Sequence, residues 1–181
     1  MTDLQKSRLT IHEENVLELL KTKLYSTDPK LTIRELLQNS HDAIVEVEHL
    51  ARIRPVIDVS LDIHSMDRSI SVSDNGIGMN EEDLRRRLAV VADGDKLKRA
   101  QENSALIGQF GIGFLSTLII ADRVEVVTQK HGDSQAWLFT LEQSGHYMIE
   151  PNTDRTAHGT TVTLHVGSNR DRELSSGLSM R

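Results

Sequence analysis

The apolar residues of this chain change their spacing near residue 55, and that change limits the folds open to it. Over about residues 33–51 they recur at intervals of three and four, which predicts an amphipathic helix. In the segment VIDVSLDI, residues 56–63, they alternate with Asp and Ser, which predicts a half-buried strand. A chain with both patterns can cover a sheet with helices. The predicted core positions of the helix are Ile33, Leu36, Leu37, Ile44 and Val47.

The rest of the chain adds more helices and strands in separate groups. Three further helices are predicted: one over residues 11–24, one that begins at Glu81, and one over 112–120. The second has Asn80 as its N-cap and three expected i,i+4 ion pairs. Five further strands are predicted over residues 69–74, 123–129, 135–140, 146–150 and 160–166. The sum is an α+β fold, a two-layer sandwich of helices on a mixed, mostly antiparallel sheet. We expect one domain over 1–166, with 167–181 as a polar tail or the start of a linker.

Composition excludes several classes of protein. The 181 residues include no cysteine, which excludes disulfides and thiol chemistry. The eight histidines have no metal-ligand spacing. The net charge of −6 disfavours nucleic-acid binding. The N-terminus lacks an apolar signal core, and the longest uncharged stretch, Leu106–Ala121, is too short and too rich in glycine to span a membrane. We therefore expect a cytoplasmic protein with no nucleic-acid or membrane partner.

Three polar residues of the helix at 33–51 form a first candidate site. Glu35, Asn39 and Asp42 stand at i, i+4 and i+7 and share one stripe. An amide oxygen can ligate Mg²⁺ and a carboxylate can activate water, so the stripe suits a metal-phosphate site. The alternative is structural, because Thr32 and Glu35 also fit a capping box and the other two residues can face solvent.

The segment SDNGIGM, residues 73–79, forms a second candidate. Asp74 ends a predicted strand, where its carboxylate can accept a hydrogen bond from an exocyclic amine. Gly76 and Gly78 permit positive φ and a close approach of a ligand to the backbone. An ordinary Asn-Gly turn is the alternative.

The segment GQFGIGF, residues 108–114, forms a third candidate. Backbone N–H groups of a glycine-rich turn before a helix bind phosphate without a basic side chain. A glycine-rich packing turn is the alternative. A dinucleotide fingerprint would need glycine where Ser116 stands, and no Gly-Lys-Ser/Thr loop occurs in the chain.

The order of these segments resembles the four motifs of the GHKL (Bergerat-fold) ATPases. The matching residues are RELLQNSHDA at 34–43, DNGIGM at 74–79, IGQFGIGF at 107–114 and Gly159-Thr160. The superfamily includes type II topoisomerases, mismatch-repair ATPases, histidine kinases and heat-shock protein 90 chaperones. Three segments are most similar to the chaperones' N-terminal domain: LYS at 24–26, the unbroken GQFGIGF, and ADRV at 121–124. The resemblance covers about residues 11–166.

The resemblance implies a role for each matching residue. Glu35 would be the general base, Asn39 would ligate Mg²⁺, and Asp74 would accept the adenine amino group, with Thr160 helping through a water. The other implied contacts to ATP or ADP are Asp42, Ala43, Gly78, Met79, Leu88, Gly108, Gln109, Phe110, Gly111, Ile112, Gly113 and Phe114. The implied function is slow, Mg²⁺-dependent attack of water on the γ-phosphate in a chaperone's N-terminal domain. Its implied partners are client proteins and co-chaperones, with homodimerisation through regions outside this chain.

The chain departs from the chaperones in the segment that would close over the nucleotide, about residues 92–105. The chaperones carry Asn and then a Lys-Ser-Gly run where this chain has Arg87 and Asp93-Gly94-Asp95. Lys96 or Lys98 is the candidate replacement for the chaperones' Lys. The middle domain that supplies the chaperones' catalytic arginine is missing, so the chain is either a fragment or a single-domain protein. Two alternatives follow: a nucleotide-binding switch module with negligible hydrolysis, or another GHKL ATPase of topoisomerase or mismatch-repair type.

Overall fold

The computed structural model describes residues 29–63, 68–88, 114, 117–144 and 146–166. The predicted helix at 11–24, the segment at 92–105, the glycines of 108–113 and the tail at 167–181 lie outside the described residues. Among the described residues, no helix has the length and apolar character needed to span a bilayer.

A six-stranded sheet forms the frame of the described part. Its strands, in chain order, are β1 (Ile57–Asp62), β2 (Ser69–Asp74), β3 (Arg123–Gln129), β4 (Ala136–Glu142), β5 (Tyr147–Asn152) and β6 (Gly159–His165). In the sheet they lie in the order β1-β2-β6-β3-β4-β5, and each neighbouring pair is antiparallel. The α+β, mostly antiparallel prediction is therefore confirmed. The pairing of β2 with β6 sets Asp74 opposite Thr160, which brings two of the predicted site residues together.

Within the described residues, three helical segments accompany the sheet: α1 (Pro29–Glu48), α2 (Glu81–Arg87) and α3 (Thr117–Ile120). Helix α1 begins four residues before the predicted start, because proline is well suited to the first turn of a helix, where its missing N–H is not needed. Thr32 is thus an interior residue of α1 and is only 1% exposed. The capping-box alternative for Thr32 and Glu35 is wrong.

The core lies between the helices and one face of the sheet. Phe139 of β4 is fully buried and meets Phe114 edge to face, with ring centroids 6.1 Å apart. Leu84 of α2 and Leu118 of α3 are buried in the same cluster, and Trp137 packs against it. Helix α1 contributes Leu36 to this cluster, whereas the predicted core residue Leu37 is 36% exposed.

Strand β1 differs from its prediction in its exposure. The strand forms and pairs with β2, but all six of its residues are exposed, including Val59 at 51% and Leu61 at 59%. Its neighbours in the register, Val72 and Ile70 of β2, are buried. The reason is position, because β1 is the edge strand and α1 packs mainly on β2. Alternation showed which side chains share a face, but it could not show that the face is covered.

Helix α2 is fixed by its cap and by one bond to the sheet. The Asn80 side chain accepts from the Asp83 N–H, and the Asp83 side chain accepts from the Asn80 N–H, which is a capping box. Of the three expected i,i+4 ion pairs, Glu81–Arg85 forms at 2.7 Å. Asp83 instead binds Lys130 Nζ at 2.7 Å, just after β3, so its pair with Arg87 does not form. The carboxylate therefore joins α2 to the sheet.

The turn between β2 and α2 packs directly against backbone. A Cβ on Gly78, where φ is +67°, would lie 1.9 Å from the carbonyl oxygen of Gln129, and one on Gly76 would lie 2.6 Å from Ala43. The space next to both glycines is thus filled by the chain itself. Both glycines therefore allow α1 and β3 to approach the turn closely, and their predicted contact with a ligand stays a prediction.

We expect Gly78→Ala to lower the free energy of unfolding far more than Gly132→Ala. Both glycines have positive φ, but a Cβ on Gly132 meets nothing within 4 Å. The left-handed conformation costs alanine about 1–2 kcal/mol at either position. The overlap with the Gln129 carbonyl adds roughly 1–3 kcal/mol at Gly78 alone. Urea unfolding followed by the fluorescence of Trp137 measures both variants, and equal losses would contradict the packing described.

Candidate functional site

Asp74 is the buried centre of the candidate site. It is the last residue of β2 and is 7% exposed. Its Oδ1 accepts the Gly76 N–H at 2.9 Å and the Thr160 N–H at 3.2 Å. The Ser40 side chain of α1 supplies a third hydrogen bond. The carboxyl group is therefore held by donors from α1, β6 and the turn after β2.

Opposing effects act on the charge of Asp74. Burial raises its pKa above the ordinary value, and this effect is the largest. The three hydrogen bonds and the positive charge of Arg155 act in the other direction and favour the carboxylate. The pKa remains raised on balance. A buried acid with partners of this kind is a common feature of binding and catalytic sites.

Two threonine hydroxyl groups connect the rest of the site. The Thr128 Oγ1 of β3 accepts the Met79 N–H at 2.9 Å and donates to the Gly159 carbonyl at 3.0 Å. It also lies 3.0 Å from Thr160 Oγ1. Thr128 is fully buried and was not predicted as a site residue, because a threonine inside a strand pattern carries no motif. Its hydroxyl fixes the position of Met79 relative to Thr160.

The polar stripe of α1 lies beside this centre. Glu35, Asn39 and Ala43 are one turn apart on one side of the helix, and the Ala43 carbonyl accepts the Ile77 N–H at 2.9 Å. That bond places Ala43 next to the turn that follows Asp74, with Asn39 about one helical turn and Glu35 about two turns away along α1. Glu35 is half-buried and Asn39 is exposed, and no described residue makes a hydrogen bond or ion pair with either side chain.

The remaining predicted residues divide into three groups. Asp42 is at the surface, where its Oδ1 accepts from Gln38 Nε2 at 2.8 Å and lies 3.3 Å from His41 Nδ1. Met79 and Leu88 are half-buried and pack against the core cluster, to which the buried Phe114 belongs. Gly108, Gln109, Phe110, Gly111, Ile112 and Gly113 lie outside the described residues, and their predicted contact with phosphate stays a prediction.

The loop between β5 and β6, residues 153–158, also reaches the site. Arg155 Nη2 donates to the Asp74 carbonyl at 3.3 Å, and His158 Nδ1 lies 2.8 Å from the Gly76 carbonyl, to which it donates. The His158 ring meets the ring of His131 edge to face, with centroids 5.0 Å apart. Sequence reasoning missed both residues of the loop, because their spacing matches none of the motifs considered.

Comparison with known proteins agrees with this geometry. The family model described as histidine kinase-, DNA gyrase B- and HSP90-like ATPase matches residues 26–173. This chain therefore belongs to that family of ATPases.

The curated relatives specify the branch of the family. The chain is 37% identical to the chaperone protein HtpG of Roseobacter denitrificans over 165 residues, which are 83% of this chain and 26% of that protein. It is 35% identical to the HtpG of a Sulfurovum species over the same shares. It is 33% identical to that of Sulfurimonas denitrificans over 94% of this chain and 29% of the relative. The resemblance to the heat-shock protein 90 chaperones is confirmed, and the chain spans little more than a quarter of these relatives.

We expect Asp74→Asn to raise the free energy of unfolding at pH 7 in the absence of nucleotide. The folded-state pKa is raised above 3.8, so the folded protein binds more protons than the unfolded chain between 3.8 and the raised pKa. Stability therefore falls as the pH rises through that window, and the charged group destabilises the fold above it. Asparagine keeps an oxygen for the N–H donors without the charge.

Urea unfolding of both proteins from pH 3 to pH 8 tests this expectation. The gain should disappear below about 3.8, where the carboxyl group is protonated in both states. Asp58→Asn, on the exposed strand β1, is the matched control and should change stability by less than about 0.5 kcal/mol. A loss of stability in Asp74→Asn at pH 7 would show that its hydrogen bonds outweigh the cost of burying the charge.

Proposed function

We propose that this chain binds ATP or ADP through Asp74 and hydrolyses ATP slowly, as the N-terminal domain of an HSP90-like chaperone. The observation that carries the proposal is the buried Asp74 carboxyl group, held by donors from three elements beside the buried Thr160. A fixed carboxylate is a strong acceptor for an amino group such as that of adenine. Thr160, whose hydroxyl contacts Thr128, would bind a bridging water.

Glu35 and Asn39 fit the phosphate end of a nucleotide. The amide oxygen of Asn39 is a suitable Mg²⁺ ligand, and no described residue occupies it. When bound, the ion would neutralise charge on the phosphates. Glu35 would orient a water and take its proton as the water oxygen attacks the γ-phosphorus and the bond to the leaving oxygen of ADP breaks. Both residues stand on the side of α1 whose Ala43 carbonyl bonds to the turn after Asp74.

The remaining contacts of the proposal follow the family motifs. Residues 108–114 would wrap the phosphates with backbone N–H groups. The sides of the nucleotide pocket would be formed by Asp42, Ala43, Gly78, Met79 and Leu88. The same proposal includes client proteins and co-chaperones as partners and a cytoplasmic location. It also includes the division of the chain at residue 166.

A switch module with negligible hydrolysis is the second candidate. One observation favours it: no described residue orients the half-buried Glu35 carboxylate by a hydrogen bond or an ion pair. A general base without such a partner is poorly positioned for proton transfer. ATP would then bind and change the conformation of the domain without being consumed. A topoisomerase or mismatch-repair type of ATPase is less well supported, because the relatives found are HtpG chaperones and the net charge is −6.

Isothermal titration calorimetry with ADP and Mg²⁺ tests nucleotide binding by the 181-residue chain. We expect one site in the wild type and at least about a hundredfold weaker binding in Asp74→Asn, because the amide presents its acceptor without the charge. Asp58→Asn should bind as the wild type does. Absence of binding in the wild type, or equal affinity in Asp74→Asn, would refute the proposed adenine contact.

Glu35→Ala should abolish ATP turnover and leave ADP affinity within about threefold of the wild type, because a general base acts on water and contributes little to ground-state binding. Steady-state phosphate release and calorimetry on the same preparation separate the two effects. Glu48→Ala, at the exposed end of the same helix, is the control and should retain turnover. Turnover by Glu35→Ala equal to wild type would assign the base to another residue. Absence of turnover in the wild type with intact binding would favour the switch module.

A further inference from the structure

The Arg155 side chain makes four hydrogen bonds, of which two stay within the loop at 153–158, one reaches β6 and one reaches the end of β2. Within the loop, its Nε donates to the Ala157 carbonyl at 2.8 Å and its Nη2 to the His158 carbonyl at 3.3 Å. Its Nη1 donates to Thr161 Oγ1 of β6 at 3.0 Å, and Nη2 also reaches the Asp74 carbonyl at 3.3 Å. The guanidinium thus meets three parts of the structure from a half-buried position.

The backbone around Arg155 brings the charge close to Asp74. The loop begins with a turn in which Asn152 Oδ1 accepts the N–H groups of Asp154 and Arg155. It ends at Gly159, where φ is +113° and a Cβ would lie 2.2 Å from the Asp74 carbonyl oxygen and 2.8 Å from Arg155 Nη2. A side chain at Gly159 would force the guanidinium away from the end of β2.

In the described part of the chain, Arg155 is the cationic neighbour of Asp74. Helix α1 presents the neutral Ser40 to the carboxyl group, while His41 and Asp42 pair with each other at the surface. Strand β6 presents Thr160, and the loop presents His158, which binds the Gly76 carbonyl and contacts His131. Arg155 favours the ionised carboxylate, and burial lowers the pKa of Arg155 itself. With a neutral residue at 155, the hydrogen bonds alone would oppose the effect of burial on the pKa of Asp74.

We propose that Arg155 is a positioning residue for nucleotide recognition, which holds the loop at 153–158 against the end of β2 beside the Asp74 carboxyl group. The proposal rests on the proposed adenine contact of Asp74. The loop at 153–158 thus affects the affinity for nucleotide through its contact with Asp74. Arg155→Met removes the charge at similar side-chain length, and Arg155→Lys keeps the charge but loses the forked hydrogen bonds.

Calorimetry with ADP from pH 5 to pH 8 compares the wild type with these variants. We expect Arg155→Met to bind about threefold more weakly at pH 7, with the acid midpoint of its affinity moved upward, because the variant lacks the charge that favours the ionised carboxylate. Arg155→Lys should keep the wild-type midpoint. Arg52→Met, which removes an exposed arginine, should behave as the wild type does. Comparing midpoints between variants cancels the titration of ADP itself.

The outcomes separate the two proposals. If the wild type binds and Arg155→Met shows the same affinity and midpoint, the role of Arg155 is refuted and the adenine contact stands. Equal losses in Arg155→Met and Arg155→Lys without a moved midpoint would make Arg155 a structural residue only, which also refutes the proposal. If the wild type does not bind, both proposals fail. Should Arg155→Met unfold, Arg155→Gln carries the same test, because it is neutral and keeps a hydrogen-bond donor.

Discussion

The hydrogen bonds that hold the Asp74 carboxyl group join three elements of the described part of the domain at one buried point. The donors come from the turn after β2, from β6 and from α1, so one buried group fixes the relative positions of three elements. A buried carboxylate without such donors would be costly, and donors facing an apolar residue would be left unpaired. The sheet, the helix and the site therefore depend on the same atoms.

The glycines of the turn make this arrangement possible by removing side chains where backbones meet. Gly76 lies against Ala43 of α1, and Gly78 lies against the Gln129 carbonyl at the end of β3. The Thr128 hydroxyl next to Gln129 then receives the Met79 N–H. The turn is thus held in place by protein contacts before any ligand arrives, which reduces the entropy that a ligand would have to overcome.

The sequence predicted the parts of the fold that depend on periodicity. The six strands and the Asn80 cap follow from alternation and helix-start signals, and the opposed Asp74 and Thr160 were named from motifs. The exposure of β1 could not be predicted, because alternation identifies a face and the covering helix is set by tertiary packing. Thr128 and Arg155 were missed for a related reason, since each acts through contacts between residues distant in the chain.

The two ends of the candidate site differ in how firmly the protein holds them. At the Asp74 end, hydrogen bonds from several elements fix the acceptor in advance. On the α1 stripe, Glu35 and Asn39 have no described hydrogen-bond or ion-pair partner. Under the proposed function, affinity for the base would come from a preorganised contact, while the chemical step would depend on how the phosphate end is ordered. Under the proposed function, a site with these two ends would bind nucleotide more readily than it hydrolyses it, because recognition of the base would not depend on the order of the phosphate end.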